Sequence, residues 1–181
     1  IMDEKKILLV NLSKGELGEE HAQFLGLVLV PRILTAAMSR IDLLSKGEDF
    51  PDFYMYVDEF QNFATPDFAS IMSEARKFKL NLVVANQYIA QMEEDIKNAV
   101  FGNVGSIISF RVGVADAQFL AHEYAPTFSE TDLVNVEGQS VFVKTIVKGQ
   151  PVPAFTMSVL KDMVVQKAAM RRDVADAIVK L

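Results

Sequence analysis

Two adjacent acids, Asp58 and Glu59, follow directly on the apolar run Phe53–Val57 (FYMYV). Acids at the mouth of a buried strand are costly unless they are used. There the first acid suits Mg²⁺ held through water, and the second suits polarising a water for attack on a phosphoryl group, which is the arrangement of a Walker B element. The plainer reading has the pair open a loop and cap the helix after it. Asn86 and Gln87 close another apolar run, Leu82–Ala85. Nucleotide hydrolases set a sensor for water or the γ-phosphate at such a strand end; an ordinary loop asparagine is the bland alternative. Arg76 lies between the two runs, at the border of the helical face made by Phe68, Met72 and Ala75 when about 100° is taken per residue. An arginine there either snorkels or reaches across a subunit boundary to a transferring phosphoryl group. Arg111 interrupts the apolar run Ile107–Val112 and calls for a partner: Asp116, Glu59 or a nucleotide phosphate.

What is missing narrows the chemistry further. No GxxxxGK[ST] loop occurs, and Ser13-Lys14-Gly15-Glu16-Leu17-Gly18 carries its lysine in the wrong place. Without the phosphate-cradling loop the chain offers at most half a nucleotide site. Gly102-Asn103-Val104-Gly105 reads as a turn, with an anion-binding nest as the alternative. There is no cysteine, which excludes disulfides, thiol catalysis and cysteine metal sites. With only two histidines, His21 and His122, a multi-histidine zinc site is excluded and a histidine triad has little support. The net charge of −6 restricts any DNA contact to a local patch or to parts of the protein outside this chain. Ile1 ahead of Met2 suggests either an added residue or a piece of a longer chain.

The elements that must position these residues follow from hydropathy and breakers. The 181 residues suit one domain with a real core. Ile7–Leu12 (ILLVNL) reads as a strand, and 20–40 as a long helix kinked at Pro31. Ser45–Pro51 reads as a polar connector. Phe53–Val57 reads as a strand buried on both faces. Thr65-Pro66-Asp67 starts a helix that runs on through Phe68, Ile71, Met72, Ala75 and Phe78. Leu82–Ala85 and Ile107–Val112 are further strands, with helices at Ile89–Phe101 and Ala115–Tyr124. Ser140–Val147 and Pro153–Ser158 read as a strand pair, and Leu160–Leu181 as an amphipathic helix packing on the rest. No run of about eighteen uninterrupted apolar residues is present, so no transmembrane helix is expected, and no signal peptide is visible. Strands alternating with helices up to Tyr124 predict an α/β fold with parallel strands, whose chemistry sits at the carboxyl ends of the strands.

Four runs carry a family resemblance. ILLVNLSKGELG, YMYVDEFQNFAT, SEARKFKLNLVVANQYIAQ and FGNVGSIISFRVGVADAQFLAHE resemble the motor domain of type IV secretion coupling proteins, the TraG/TraD family, within the FtsK/HerA group of P-loop DNA-pumping ATPases. The resemblance extends from about Lys6 to Phe155, in order. It implies the C-terminal portion of a RecA-like core over residues 1–160, without the Walker A strand and loop, followed by the helix 161–181. It implies ATP and Mg²⁺ as cofactors. Asp58 would be the magnesium-associated acid (through water), Glu59 the catalytic glutamate, Gln87 the sensor, Arg76 an arginine finger completing a neighbour's site, and Arg111 a residue near nucleotide or interface.

It further implies a homo-hexamer in the full-length protein. That protein would stand at the cytoplasmic face of the bacterial inner membrane, held there by regions outside this chain. It would pass relaxosome-borne single-stranded DNA or a protein substrate to the secretion channel components. This chain alone would be inactive as an ATPase. Two other readings stand beside it: a non-catalytic interaction module of a secretion complex, and a HerA/FtsK-type translocase in repair or segregation. Glu59 together with Arg76 discriminates, because a motor needs both.

Overall fold

The computed structural model describes residues 1–65, 68, 72 and 74–159. The expected helix 160–181 and the domain boundary at 160 lie outside the described residues, as does Ile71. The contacts divide the chain into two compact units, Ile1–Asn103 and Val104–Leu181. The fold is mixed α/β with small sheets, one of them parallel.

In the first unit the long helix Glu19–Met38 includes Pro31 and buries Ala22, Gly26, Val30, Leu34 and Ala37. The helical stretch Glu19–Ser45, which runs on past this helix, is long and apolar enough to cross a membrane by length and composition alone, with a mean hydropathy of 1.6 over an eighteen-residue window. That revises the expectation from uninterrupted runs, because a window average tolerates scattered polar and small residues. The buried side of the helix is occupied within the unit: Gly26 sits so close to Phe63 that a Cβ there would lie 2.1 Å from its ring. The helix thereby braces the segment that follows β1.

β1 (Phe53–Val57) and β2 (Leu80–Val84) pair in parallel, with Phe53 opposite Leu80 and Val57 opposite Val84. A parallel pair needs a long crossover. Here that crossover includes helical backbone at Phe68, Met72, Glu74 and Ala75 and a 3-10 turn at Arg76–Phe78. The expected N-cap is present in part, since Phe68 N donates to Thr65 Oγ1 at 3.3 Å. Phe60, Phe68, Phe78, Leu80 and Ile96 are buried in this unit's core. The helix Glu94–Asn103 closes the unit, starting later than the expected Ile89.

Two strand expectations are corrected. Ile7–Leu12 is not a strand: it runs without regular structure, and Ile7, Leu8, Leu9 and Val10 are exposed. Apolar residues make a strand only where a neighbour completes the ladder, and this segment borders a cleft of about 1130 Å³ instead of pairing with β1. Nor is β1 buried on both faces. Met55 and Val57 are inside, but Tyr54 and Tyr56 are 57% and 73% exposed. Aromatic rings with a polar tip tolerate one open face that Val or Ile would not.

In the second unit β3 (Ile107–Ser109), β4 (Ser140–Lys144) and β7 (Phe155–Ser158) form an antiparallel sheet in the order β3-β4-β7. The run at Ile107 therefore ends early and pairs antiparallel, contrary to the expected continuation of a parallel sheet. Between β4 and β7, β5 (Ile146–Val147) and β6 (Gln150–Pro151) make a hairpin. Its turn residues Lys148 and Gly149 both have positive φ, 50° and 78°, the backbone that a tight two-residue hairpin turn needs. Helix Val114–Tyr124 delivers the fully buried Tyr124 to the sheet, where its hydroxyl accepts from Ser109 Oγ (3.0 Å) and donates to Phe142 O (3.2 Å). Burial is the main influence on the Tyr124 phenol and pushes its pKa up. A further helix, Glu130–Asn135, carries a complete capping box between Ser129 and Asp132.

Candidate functional site at the carboxyl end of the parallel pair

The register of β1 and β2 ends both strands level, so Asp58-Glu59 and Asn86-Gln87 emerge side by side. Backbone bonds continue past the strands: Ala85 N donates to Val57 O at 2.9 Å and Phe60 N donates to Ala85 O at 3.0 Å. Phe60 is fully buried against Phe68, with ring centroids 4.8 Å apart, and pins the turn after β1. That turn is a 3-10 helix at Phe60–Asn62.

Glu59 enters the turn in the left-handed region, at φ 50° and ψ 44°. A residue with a Cβ pays roughly 1–2 kcal/mol for that backbone, so the surroundings must hold it. They do so from three directions. Asp58 Oδ1 accepts from Glu59 N at 2.9 Å. Asn62 donates to Glu59 O from its backbone N (3.0 Å) and from Nδ2 (3.1 Å). Gln61 Nε2 donates to Glu59 Oε2 at 2.6 Å, and Gln87 Nε2 donates to Glu59 Oε1. The Glu59 carboxylate is thus gripped by two side-chain amides, one from its own turn and one from the end of the neighbouring strand. Asp58 is exposed and Glu59 partly so.

The donor set is oxygen-rich and small. Among the described residues no group of three or more His, Cys, Asp or Glu comes together. Asp58 and Glu59 supply carboxylate oxygens, the ligand type that a hard divalent cation takes. Beside them Asn86 donates weakly to Met92 Sδ (3.5 Å), while its Oδ1 is buried without a hydrogen bond.

The two arginines are not among these contacts. Arg76 is exposed in the 3-10 turn ahead of β2, at the opposite end of the strand pair from Glu59. Roughly 13 Å of strand separates those ends, so this chain does not bring Arg76 to its own Glu59. Arg111 is exposed just past β3, in the second unit, outside the strand that was expected to enclose it.

Sequence reasoning missed Gln61, Asn62 and Arg40. The first two left a faint signal, polar residues two and three places after Glu59 in a run otherwise bounded by phenylalanines. Arg40 left none, because its partners are remote in sequence. It is 2% exposed, with Nε on Asp3 Oδ1 (2.9 Å), Nη1 on Phe78 O (2.9 Å) and Pro51 O (3.3 Å), and the Phe50 ring 5.0 Å away.

Residues 52–141, about half of the chain, match the family described as the TraM recognition site of TraD and TraG. The matched segment begins just before β1 and ends in β4, and so takes in Asp58, Glu59, Gln61, Arg76, Gln87 and Arg111. The match is consistent with the C-terminal part of a TraG/TraD coupling protein. No curated protein matches the chain.

Proposed function

We propose that this chain is the C-terminal part of the motor of a conjugation coupling protein, and that the carboxyl end of β1 and β2 is the hydrolytic half of an ATP site. The observation that carries the reading is the convergence of Gln61 and Gln87 on the Glu59 carboxylate beside Asp58. A loop that merely follows a strand needs no such grip, whereas a general base must be held in one orientation.

Asp58 would hold the water shell of Mg²⁺, and bound ATP with that ion supplies the phosphoryl group and part of the charge compensation. Glu59 accepts a proton from the attacking water; its carboxylate has lone-pair capacity beyond the two amide bonds it already accepts. Gln87, on the loop past β2, stands where it can turn from Glu59 toward water or a phosphate oxygen. Arg76, exposed at the other end of the pair, would serve a neighbouring subunit rather than its own, in a ring-shaped hexamer. The phosphate-cradling loop and the rest of a RecA-like sheet would come from outside this chain.

On this reading the assembled protein works at the cytoplasmic face of the inner membrane. It passes relaxosome-borne DNA or protein cargo to a type IV secretion channel. The family description adds a second role for the same segment: recognition of a TraM-like relaxosome component. That favours an interaction surface alongside the motor over a repair or segregation translocase.

The test is ATP turnover by the full-length protein. Glu59→Gln is expected to lower kcat by about 100-fold or more, the scale of a lost general base, while ATP binding is retained. Equal turnover in the two proteins would refute the hydrolytic reading and leave the recognition role.

A further inference from the structure

We propose that Gln61 is a positioning residue for this reaction, holding Glu59 through Oε2 so that Oε1 is the oxygen that takes the proton. The inference rests on the hydrolytic reading above and adds a residue to it.

The two amides on Glu59 are built differently. Gln87 is exposed, on the loop beyond β2. Gln61 belongs to the 3-10 turn whose first residue, Phe60, is fully buried and bonded to Ala85 O. The turn is tied a third time by Asn62, which donates twice to Glu59 O. Gln61 therefore has little freedom relative to Glu59, and its amide reaches the carboxylate over a gap of 2.6 Å. Its Oε1 is buried and takes no hydrogen bond, so no donor on that oxygen competes for the orientation of the amide. The reversed amide would set a carbonyl oxygen against a carboxylate oxygen, which is repulsive; the carboxylate thus fixes which way the amide points.

The consequence is a division of labour between the two carboxylate oxygens. Oε2 is committed to a rigid donor. Oε1 is bonded by the exposed Gln87, and becomes available to a water when that side chain turns away. A glutamate in a strained backbone conformation with one oxygen fixed presents the other in a constant direction.

The experiment measures kcat and KM for ATP in the full-length protein carrying Gln61→Met or Gln61→Glu, alone and combined with Glu59→Gln. Methionine keeps the length and removes the donor. It is expected to lower kcat about tenfold, in line with the loss of a hydrogen bond to a charged group. KM should stay within about twofold and the melting temperature should move little, since the lost contact is not part of ATP binding and Asp58 and Asn62 still hold the Glu59 backbone. Gln61→Glu sets a like charge beside Glu59 and should lower kcat further. In the Glu59→Gln background neither change should affect the residual rate, because Gln61 acts only through Glu59. Wild-type kcat in Gln61→Met, beside an inactive Glu59→Gln, would overturn the role of Gln61 alone. So would an equal loss in both backgrounds, or a parallel fall in melting temperature. Turnover retained by Glu59→Gln would overturn the hydrolytic reading itself, and the role of Gln61 with it.

Discussion

At the amino end of the β1–β2 pair a charge is buried and tied into the fold; at the carboxyl end charges stay near solvent and are held in place. Arg40 is 2% exposed and joins the region after helix Glu19–Met38 to the entries of both strands, through Asp3, Pro51 O and Phe78 O. Every one of those partners is part of the folded unit. The cluster's product is stability. Asp58, Glu59 and Gln87 are solvent-accessible, sit past the strands, and include a backbone in the left-handed region. Their hydrogen bonds orient a carboxylate without consuming it. Similar polar groups can thus lock a fold or prepare a site, and the difference shows in exposure.

Substitutions can break or sharpen this contrast. The largest effect on chemistry is the loss of turnover in Glu59→Gln, and the tenfold loss in Gln61→Met follows. On the stability side Arg40→Ala has the largest expected effect. It strips one buried and one part-buried carbonyl of their donor and leaves a void, which costs about 2–4 kcal/mol. Urea denaturation should show it as a shifted midpoint with an unchanged slope. Gly26→Ala comes next. Alanine favours the helix by nearly 1 kcal/mol over glycine, but the new Cβ would meet the Phe63 ring at 2.1 Å. Overpacking of that kind costs roughly 1–3 kcal/mol, so the net effect should be destabilising. Pairing Gly26→Ala with Phe63→Leu should recover most of it. A freely tolerated alanine would show that the helix does not brace the turn carrying Glu59.

The smallest effect is one of pH. Lys79 holds the Asp49 carboxyl below its usual range, first through a side-chain hydrogen bond and then through its charge. A carboxyl depressed on folding contributes stability above its unfolded-state pKa, and loses it as pH falls through the lower folded-state value. Lys79→Met should therefore weaken the protein slightly near neutrality. The difference from wild type should vanish in strong acid. A difference that persists there would assign the loss to packing on Phe50, whose ring centroid lies 5.5 Å from the ammonium.

The sequence makes the carboxyl end legible because its signals are local. Apolar runs followed at once by Asp-Glu and Asn-Gln place Glu59 and Gln87 at strand ends, and parallel pairing brings them together. Gln61 escapes notice because a 3-10 turn folds the chain back within two residues, a geometry that neither strand nor helix periodicity encodes. Arg40 escapes because two of its three hydrogen-bond partners lie 37 and 38 residues away. Ile7–Leu12 misleads for a related reason: strand character is a property of a ladder, and β1 offers that segment a cleft and not a partner. Arg111 misleads because the strand ends at Ser109, two residues before it.

The most direct measurement compares Glu59→Gln and Arg40→Ala in the full-length protein, in two assays on the same samples. One follows thermal unfolding, and the other follows ATP turnover well below both midpoints. The account predicts a crossed result. Glu59→Gln loses turnover and keeps its melting temperature, while Arg40→Ala melts earlier and keeps its turnover while folded. Turnover that survives in Glu59→Gln would contradict it.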